Sequence, residues 1–204
     1  NWFSWVYIIQ TLKLQKIKSV IKTHLKTILL ISKSLLKIIL FSLNKVINMT
    51  TKCCELIAKN KLNITFIESA SAGYLAYRFS LTPFSGDILN GGLVCYDLKI
   101  KENVLKISPK MIKKYTPESS EITEELVKKS KIIFKSDIYV GCTGLLKPGG
   151  SETKEKPVGT FFYSILYKNK IYSYRCFCKG KKEEKLKKLI NYICKSLIKI
   201  IKNS

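Results

Sequence analysis

The chain has 204 residues and a formal net charge of +23, from 37 Lys and Arg against 14 Asp and Glu. Its hydrophobic content of 46% and charged content of 25% are ordinary for a globular protein. A domain of roughly 150 residues buries enough surface to be stable alone, which excludes a small fold that depends on metal or disulfides. Arg occurs only at Arg78 and Arg175, so we attribute the charge to a lysine-rich coding bias rather than to nucleic-acid binding.

The first 48 residues differ in composition from the rest, with eight Lys and no Asp or Glu. Lys interrupts every apolar run there, so none reaches the ~18 residues of a membrane span. Two interpretations stay open. One is a non-native upstream extension without a role, because the chain begins at Asn1 and regular patterning starts only after Met49. The other is a basic, low-complexity amphipathic helix on a membrane surface. We expect residues 49–204 to form the domain.

After Met49 the hydrophobic pattern alternates between helical and strand periods. The pattern predicts, in chain order, a helix over Thr50–Lys59, a strand over Leu62–Ile67, a helix over Ala72–Leu81, a strand over Gly92–Tyr96, and short helices over Lys99–Lys106 and Pro109–Lys114. Helices and strands that alternate in this way are typical of an α/β fold.

The second half begins with a helix whose predicted N-cap is Ser120 and which ends near Lys131. A strand over Asp137–Cys142 follows it. The remaining predictions are a hairpin of Val158–Tyr167 and Ile171–Cys178, and a last helix over Lys182–Lys202 with one apolar stripe. Alternating elements followed by a hairpin predict a three-layer α/β/α sandwich with a mixed sheet.

Cysteine and histidine usage restricts the chemistry. Seven cysteines occur without any CxxC spacing, so we predict no metal site and no disulfide framework. Free thiols indicate a cytoplasmic protein. The single histidine, His24, lies in the first 48 residues, so a Ser-His-Asp triad is unavailable in the domain. A serine nucleophile would need a lysine, a tyrosine or a carboxylate for its activation.

The first candidate site is the turn between the first predicted strand and the helix after it. It reads Glu68-Ser69-Ala70-Ser71-Ala72-Gly73. Small residues permit a sharp turn whose N–H groups can stabilise an oxyanion. Ser69 would stand at the carboxyl end of its strand, where α/β sheets bind their ligands. The alternative is a simple capping turn.

Two further candidates follow the next two strands. Lys101 lies five residues after Tyr96, and burial beside Lys99 would lower its pKa, as a lysine base requires. The loop Thr143-Gly144-Leu145-Leu146-Lys147-Pro148-Gly149-Gly150 is suited to phosphate or ribose, although it is not a P-loop. The alternatives are a solvated lysine and an ordinary connecting loop.

Taken together, these features resemble one family. Four motifs follow one another in an order that is similar to that of the CinA C-terminal domain family. They are Glu68-Ser69-x-Ser71-x-Gly73, Gly91-Gly92-x-Val94-x-Tyr96-(x)4-Lys101, Thr143-Gly144-(x)3-Pro148-Gly149-Gly150 and Lys156-Pro157-Val158-Gly159-Thr160. The resemblance runs from about Lys59 to about Lys187. That family includes amidohydrolases that convert nicotinamide mononucleotide into nicotinate mononucleotide and ammonia, without a metal or a cofactor.

The resemblance implies a role for each matched residue. Ser69 matches the nucleophile, Tyr96 and Lys101 match the pair that activates it, and Thr143 matches a further hydroxyl. The implied substrate-binding groups are the turn residues Ala70, Ser71, Ala72 and Gly73, the loop residues Gly144, Gly149 and Gly150, and Lys182. Ala72 stands in place of a glycine and Lys182 in place of an arginine, and Lys cannot bind phosphate bidentately.

Two other functions remain as alternatives to the enzyme. One is a catalytically weak or inactive nucleotide-binding module, which the altered third loop would suit. The other is a basic protein that binds nucleic acid or a membrane surface, for which charge is the sole support. We expect a small nucleotide as the partner, no specific nucleic acid and no membrane span, and we leave a homo-oligomer open.

Overall fold

The structure is a computed structural model, and it describes residues 26, 29, 32, 33 and 48–203. The chain separates into two units, Asn1–Ile47 and Asn48–Ser204. Nearly all of the first unit lies outside the described residues, so both interpretations of the basic extension stay predictions.

Between residues 48 and 203 the structure describes seven helices and five strands. They are α1 (Met49–Lys59), β1 (Ile64–Glu68), α2 (Tyr74–Ser80), α3 (Ser85–Ile88), β2 (Leu89–Val94), α4 (Leu98–Asn103), α5 (Pro109–Tyr115), α6 (Ser120–Ser130), β3 (Ile138–Gly144), β4 (Thr160–Tyr167), β5 (Lys170–Phe177) and α7 (Lys182–Lys202).

The five strands form one mixed sheet in the order β2-β1-β3-β4-β5. Strands β2, β1 and β3 run parallel, whereas β4 and β5 are antiparallel to their neighbours. Strands β1 and β4 are buried along their whole length, and the edge strands β2 and β5 alternate in exposure. Central strands that are covered on both faces read as continuous apolar runs, which is why the sequence marks them without an alternating pattern.

Helices cover both faces of the sheet and enclose two hydrophobic cores. One core joins the sheet to α1, α2, α3 and α7, with Phe66 and Phe79 in edge-to-face contact at its centre. The other joins the opposite face to α4, α5 and α6, around Ile67, Leu126 and Tyr139. The predicted three-layer α/β/α sandwich with a mixed sheet is therefore confirmed.

Most predicted elements are found, with shifted ends. The second strand was predicted over Gly92–Tyr96 but runs over Leu89–Val94, because Asp97 accepts the Lys99 N–H and begins α4. The N-cap of α6 is Ser119 rather than Ser120, since the Ser119 hydroxyl accepts the Ile122 N–H. The short helix α3 was not predicted, because four residues are too few for a periodic signal.

The hairpin is found, but its turn is one residue shorter than predicted, because Lys170 pairs with Tyr167 as the first residue of β5. Lys168 and Asn169 both have positive φ, 47° and 60°, as a two-residue turn between β4 and β5 requires. None of the helices in the described residues is both long and apolar enough to cross a membrane.

Candidate active site

The centre of the site is a contact between Ser69 and Lys101. Ser69 directly follows β1, and its N–H donates to the Cys142 carbonyl at 3.0 Å, which extends the β1–β3 ladder by one residue. The Lys101 amine lies 3.1 Å from the Ser69 hydroxyl oxygen. The same amine donates to the Cys95 carbonyl at 2.5 Å and is 3.4 Å from the Tyr96 carbonyl. The structure thus brings together two of the predicted site residues.

Lys101 is one of the largest fully buried side chains, with 1% of its surface exposed. It lies on the last turn of the short helix α4, which turns back over the carboxyl end of β1. Burial lowers the pKa of Lys101, and the nearby groups Cys95, Glu118 and Asp97 raise it by smaller amounts. Desolvation, rather than the neighbouring Lys99, is the largest cause of the shift. A lysine with a lowered pKa can act as a base.

The turn after β1 is held by a buried carboxylate. Glu68 accepts the N–H groups of Gly73 and Leu75 at 3.0 Å and that of Ala76 at 2.8 Å. These are N–H groups at the start of α2, which would otherwise lack partners. Glu68 therefore fixes the turn that carries Ser69, a role that the sequence analysis did not assign.

Only part of this turn can serve as an oxyanion site. The Ala72 N–H donates to the Ser69 carbonyl at 3.2 Å, and the Gly73 N–H is taken by Glu68. Within the part of the chain that the structure describes, the N–H groups of Ala70 and Ser71 have no recorded acceptor. The Ser71 hydroxyl is buried and lies beside the Cys142 thiol. Of the four predicted residues, Ala70 and Ser71 have free donors.

Tyr96 reaches the site through its main chain. Its carbonyl faces the Lys101 amine, whereas the residue as a whole is 57% exposed and lines a cleft beside Ser69. No hydrogen bond of the phenol hydroxyl is recorded among residues 48–203. The phenol therefore makes no hydrogen bond to Lys101 or Ser69 in this structure, although Tyr96 lines the same cleft as Ser69.

Thr143 lies beside Ser69 in the sheet but points its hydroxyl elsewhere. The β1–β3 register pairs Glu68 with Cys142, so Ser69 and Thr143 are the next residues on adjacent strands. The Thr143 hydroxyl is buried and lies 2.7 Å from that of Thr123 on α6. In this arrangement Thr143 attaches α6 to the sheet beside Ser69.

A cleft of about 200 Å³ opens next to Ser69. Its lining consists of Ser69, Ala70, Tyr96, Glu118, Gly144, Leu145, Leu146, Lys147, Pro148, Gly149 and Gly150. The predicted glycine loop therefore forms much of its wall. Gly144 is required there, since a Cβ atom would lie 2.8 Å from the Thr160 carbonyl oxygen of β4.

The amides of the glycine loop already hold an anionic group. The Glu152 carboxylate accepts the Gly149 N–H and the Gly150 N–H, each at 2.8 Å. These backbone hydrogen bonds, that from Gly149 first, lower the pKa of Glu152. A loop that binds a carboxylate in this way has the geometry of an anion site, although a phosphate would have to displace Glu152.

The structure does not bring Lys182 to the cleft. Lys182 is exposed in the first turn of α7, on a separate surface with Lys181 and Lys187. Lys185, three residues later, contacts the cleft loop through the Leu146 carbonyl at 3.2 Å. Lys147 itself lines the cleft. These two lysines are nearer to the candidate site than the one that the sequence indicated.

Lys156 and Glu118, for which no role was predicted, lie next to the cleft. The Lys156 amine donates to the Thr116 hydroxyl at 2.8 Å, the Glu118 carbonyl at 3.0 Å and the Ser151 hydroxyl at 2.7 Å. The Ser151 hydroxyl donates to the Glu118 carboxylate at 2.6 Å. Lys156 belongs to a quoted motif, which could have revealed it, whereas Glu118 carries no sequence signal. No group of three or more metal-ligating side chains occurs in the described residues.

Fold and site together define a class: α/β domains in which a serine at the carboxyl end of a parallel strand meets a buried lysine amine. The profile of the CinA C-terminal domain matches residues 46–201. The chain belongs to the CinA C-terminal domain family.

Relatives support this assignment over part of the chain. CinA-like proteins from Thermosipho melanesiensis and from a Prochlorococcus marinus strain are 35% and 36% identical over 98 and 104 residues. These matches cover 48% and 51% of this chain but only 24% of each relative. The chain therefore spans about a quarter of the length of the curated relatives it matches.

Solved structures show the same fold. A competence-damaged protein (CinA) superfamily protein from Klebsiella pneumoniae superposes with a TM-score of 0.71 at 19% identity, covering 76% of this chain and 97% of that one. A superfamily protein from Escherichia coli has a TM-score of 0.69 at 21% identity, covering 75% and 88%.

Proposed function

We propose that this chain hydrolyses the carboxamide of nicotinamide mononucleotide to nicotinate mononucleotide and ammonia, as a step of pyridine nucleotide salvage in the cytoplasm. Membership of the CinA C-terminal domain family supports this proposal. The observation that carries it is the 3.1 Å contact between the buried Lys101 amine and the Ser69 hydroxyl. That pair supplies a nucleophile and a base without histidine.

In the proposed reaction, neutral Lys101 accepts the proton of the Ser69 hydroxyl while the Ser69 oxygen attacks the carboxamide carbon. The oxyanion would be held by the free N–H groups of Ala70 and Ser71, and each such donor contributes about 10²–10³ in rate. Protonated Lys101 then gives its proton to the leaving nitrogen, so ammonia departs and an ester to Ser69 remains. Water cleaves that ester, with Lys101 accepting the water proton and Ser69 recovering its hydroxyl proton.

The cleft suits one end of the nucleotide. Its volume of about 200 Å³ lies below the roughly 300–1,000 Å³ of pockets that enclose a whole drug-sized ligand. We therefore place the pyridine carboxamide inside the cleft and the ribose phosphate along the glycine loop. Lys147, which lines that loop, is the proposed phosphate contact. No metal or cofactor is needed for this reaction.

A nucleotide-binding module without turnover is the second candidate function. One observation favours it: in the described residues the Tyr96 phenol makes no hydrogen bond to Lys101 or Ser69, so the residue implied to help activate the serine is not engaged with it. Such a protein would bind the mononucleotide and leave its amide intact.

One experiment separates these functions. The purified full chain is incubated with nicotinamide mononucleotide, ammonia and nicotinate mononucleotide are quantified, and binding is measured by calorimetry. Equimolar release of the two products supports the hydrolase. Binding without product supports the module, and the absence of both binding and product rejects the proposed function.

A further inference from the structure

One lysine amine joins the glycine loop to the connection between α5 and α6, which comprises residues 116–119. The Lys156 amine donates to the Thr116 hydroxyl at 2.8 Å, the Glu118 carbonyl at 3.0 Å and the Ser151 hydroxyl at 2.7 Å. An ammonium group has three N–H donors, so these three acceptors use all of them. Lys156 therefore has no N–H left for a ligand, and its contacts are all within the protein.

The three acceptors belong to two parts of the cleft wall. Thr116 and Glu118 lie in the connection between α5 and α6, whereas Ser151 directly follows the glycine loop. Both Glu118 and the glycine loop line the cleft. The Ser151 hydroxyl also donates to the Glu118 carboxylate at 2.6 Å. Lys156 and Ser151 thus link the tip of the loop to the other part of the wall.

The two parts of the wall lie close together at Gly150. A Cβ atom added there would lie 3.8 Å from the Glu118 carboxyl carbon. The base of the loop is held separately, because the Leu145 N–H donates to the Thr160 carbonyl at 2.9 Å and the Gly159 N–H donates to the Leu145 carbonyl at 2.7 Å. The link through Lys156 therefore acts on the tip of the loop and not on its base.

The chemistry of the link makes it stronger than a neutral contact. The ammonium of Lys156 donates to Ser151, and Ser151 in turn donates to the carboxylate of Glu118. Hydrogen bonds with a charged partner are roughly twice as strong as neutral ones, and successive bonds in a chain polarise one another. The contacts of Glu152 with the loop amides stay within the same segment, so they do not attach the tip to another element.

We propose that Lys156 is a positioning residue that acts through Ser151 to hold the tip of the glycine loop beside Glu118 and so fixes the shape of the cleft for its ligand. The identity of that ligand rests on the proposed function, whereas the link itself does not. The Lys101 amine contacts Ser69 and the carbonyls after β2, and none of its hydrogen bonds reaches this link. Loss of the link should weaken ligand binding and spare the chemical step.

The test compares variants of the full chain. Lys156→Met keeps an aliphatic side chain but removes all three donors, and Ser151→Ala removes only the connection to the loop. Lys154→Met is the matched control, because Lys154 is exposed in the same segment and its side chain has no hydrogen bond or ion pair within residues 48–203. Two properties are measured: KM and kcat for ammonia release from nicotinamide mononucleotide, and backbone hydrogen exchange in peptides that cover residues 145–151.

We expect Lys156→Met and Ser151→Ala each to raise KM by about tenfold, as loss of a hydrogen bond to a charged group does, and to change kcat by less than about twofold. Amides of residues 145–151 should exchange about tenfold faster in both variants, because the loop tip opens more often. The double variant should show no larger effect than Lys156→Met alone, since both changes remove one link. Lys154→Met should match the wild type in both measurements.

The inference is overturned if Lys156→Met keeps the wild-type KM, whether or not exchange becomes faster, or if it lowers kcat and leaves KM unchanged. If Lys156→Met does not fold, Ser151→Ala decides by the same measurements. If the wild type releases no ammonia, the proposed function fails, and calorimetric binding of nicotinamide mononucleotide replaces KM in the comparison. Ammonia release with an unchanged KM in both variants would leave the hydrolase and remove the role of Lys156.

Discussion

The Lys101 amine lies 3.1 Å from the Ser69 hydroxyl although the two residues are 32 positions apart in the chain. The parallel pairing of β1 and β2 brings their carboxyl ends together, and the turn at Asp97 directs α4 back over that edge. The contact is therefore built by the sheet and by a side-chain cap at the start of α4.

Replacing Lys101 by Met should remove most of the proposed activity. Met fills a similar volume but has no amine, so the loss of the general base should lower kcat by about 10²–10⁴. Steady-state ammonia release from nicotinamide mononucleotide measures this effect. Lys99→Met on the exposed side of α4 is the matched control and should keep wild-type kcat. Equal rates for both variants would exclude Lys101 as the base.

The burial of Lys101 should make stability depend on pH in a defined direction. Its pKa in the folded state is lowered by desolvation from the ordinary 10.5. Between the lowered pKa and 10.5 the unfolded state binds the extra proton, so stability rises with pH in that window. Below the lowered pKa, Lys101 is protonated in both states, and the folded state is destabilised by the full free-energy cost of burying that charge.

Urea unfolding of wild type and Lys101→Met at several pH values tests this sign. The free energy of unfolding of the wild type should rise relative to that of the variant as pH approaches 10.5, by about 1.4 kcal/mol per unit of pKa shift. Charges common to both proteins cancel in the difference. A difference that stays constant with pH would contradict a lowered pKa for Lys101.

Two substitutions in the turn after Ser69 should change the stability of the protein in opposite directions. Ala72 has φ of 50° and Gly73 has φ of 95°, so both have left-handed backbones. Gly73→Ala should cost about 1–2 kcal/mol through backbone strain alone, because the nearest atom to its new Cβ is Val94 Cγ2 at an ordinary 3.7 Å. Ala72→Gly relieves strain and should be neutral or stabilising. Thermal unfolding measures both, and a destabilised Ala72→Gly would refute the assigned conformation.

Phosphate affinity should depend on Lys147 rather than on Lys182. Lys147 lines the cleft, whereas Lys182 is exposed on another surface of α7. Lys147→Met should raise KM for nicotinamide mononucleotide by about fivefold or more with little change in kcat, since it removes one phosphate contact. Lys182→Met is the matched control and should leave KM unchanged. A raised KM for Lys182→Met together with an unchanged KM for Lys147→Met would instead support Lys182 as the phosphate contact, as the sequence suggested.

The sequence predicted the layers of the fold because its signals were local and strong. Buried strands such as β4 read as apolar runs, and α7 carried a continuous apolar stripe, of which Ile193 and Leu197 are buried as expected. Element ends were less predictable, because a single side-chain cap decides them. Ser119 rather than Ser120 begins α6, and nothing in periodicity distinguishes two adjacent serines.

The candidate site was only partly predictable. Ser69 and Lys101 stood out because each follows a strand at a spacing that resembles a family pattern. Glu118 and Lys185 reach the cleft from other elements, through the fold alone, and no local pattern marks them. The Tyr96 phenol makes no hydrogen bond to Lys101 or Ser69 in the described residues, a detail that motif spacing does not contain.

The measurement that tests the central claim most directly is ammonia release from nicotinamide mononucleotide by Ser69→Ala, compared with the wild type at equal concentration. If Ser69 is the nucleophile, the wild type produces ammonia and the variant, although folded, produces almost none. Undiminished release by Ser69→Ala would contradict the account, because the hydroxyl beside Lys101 would then have no part in the reaction.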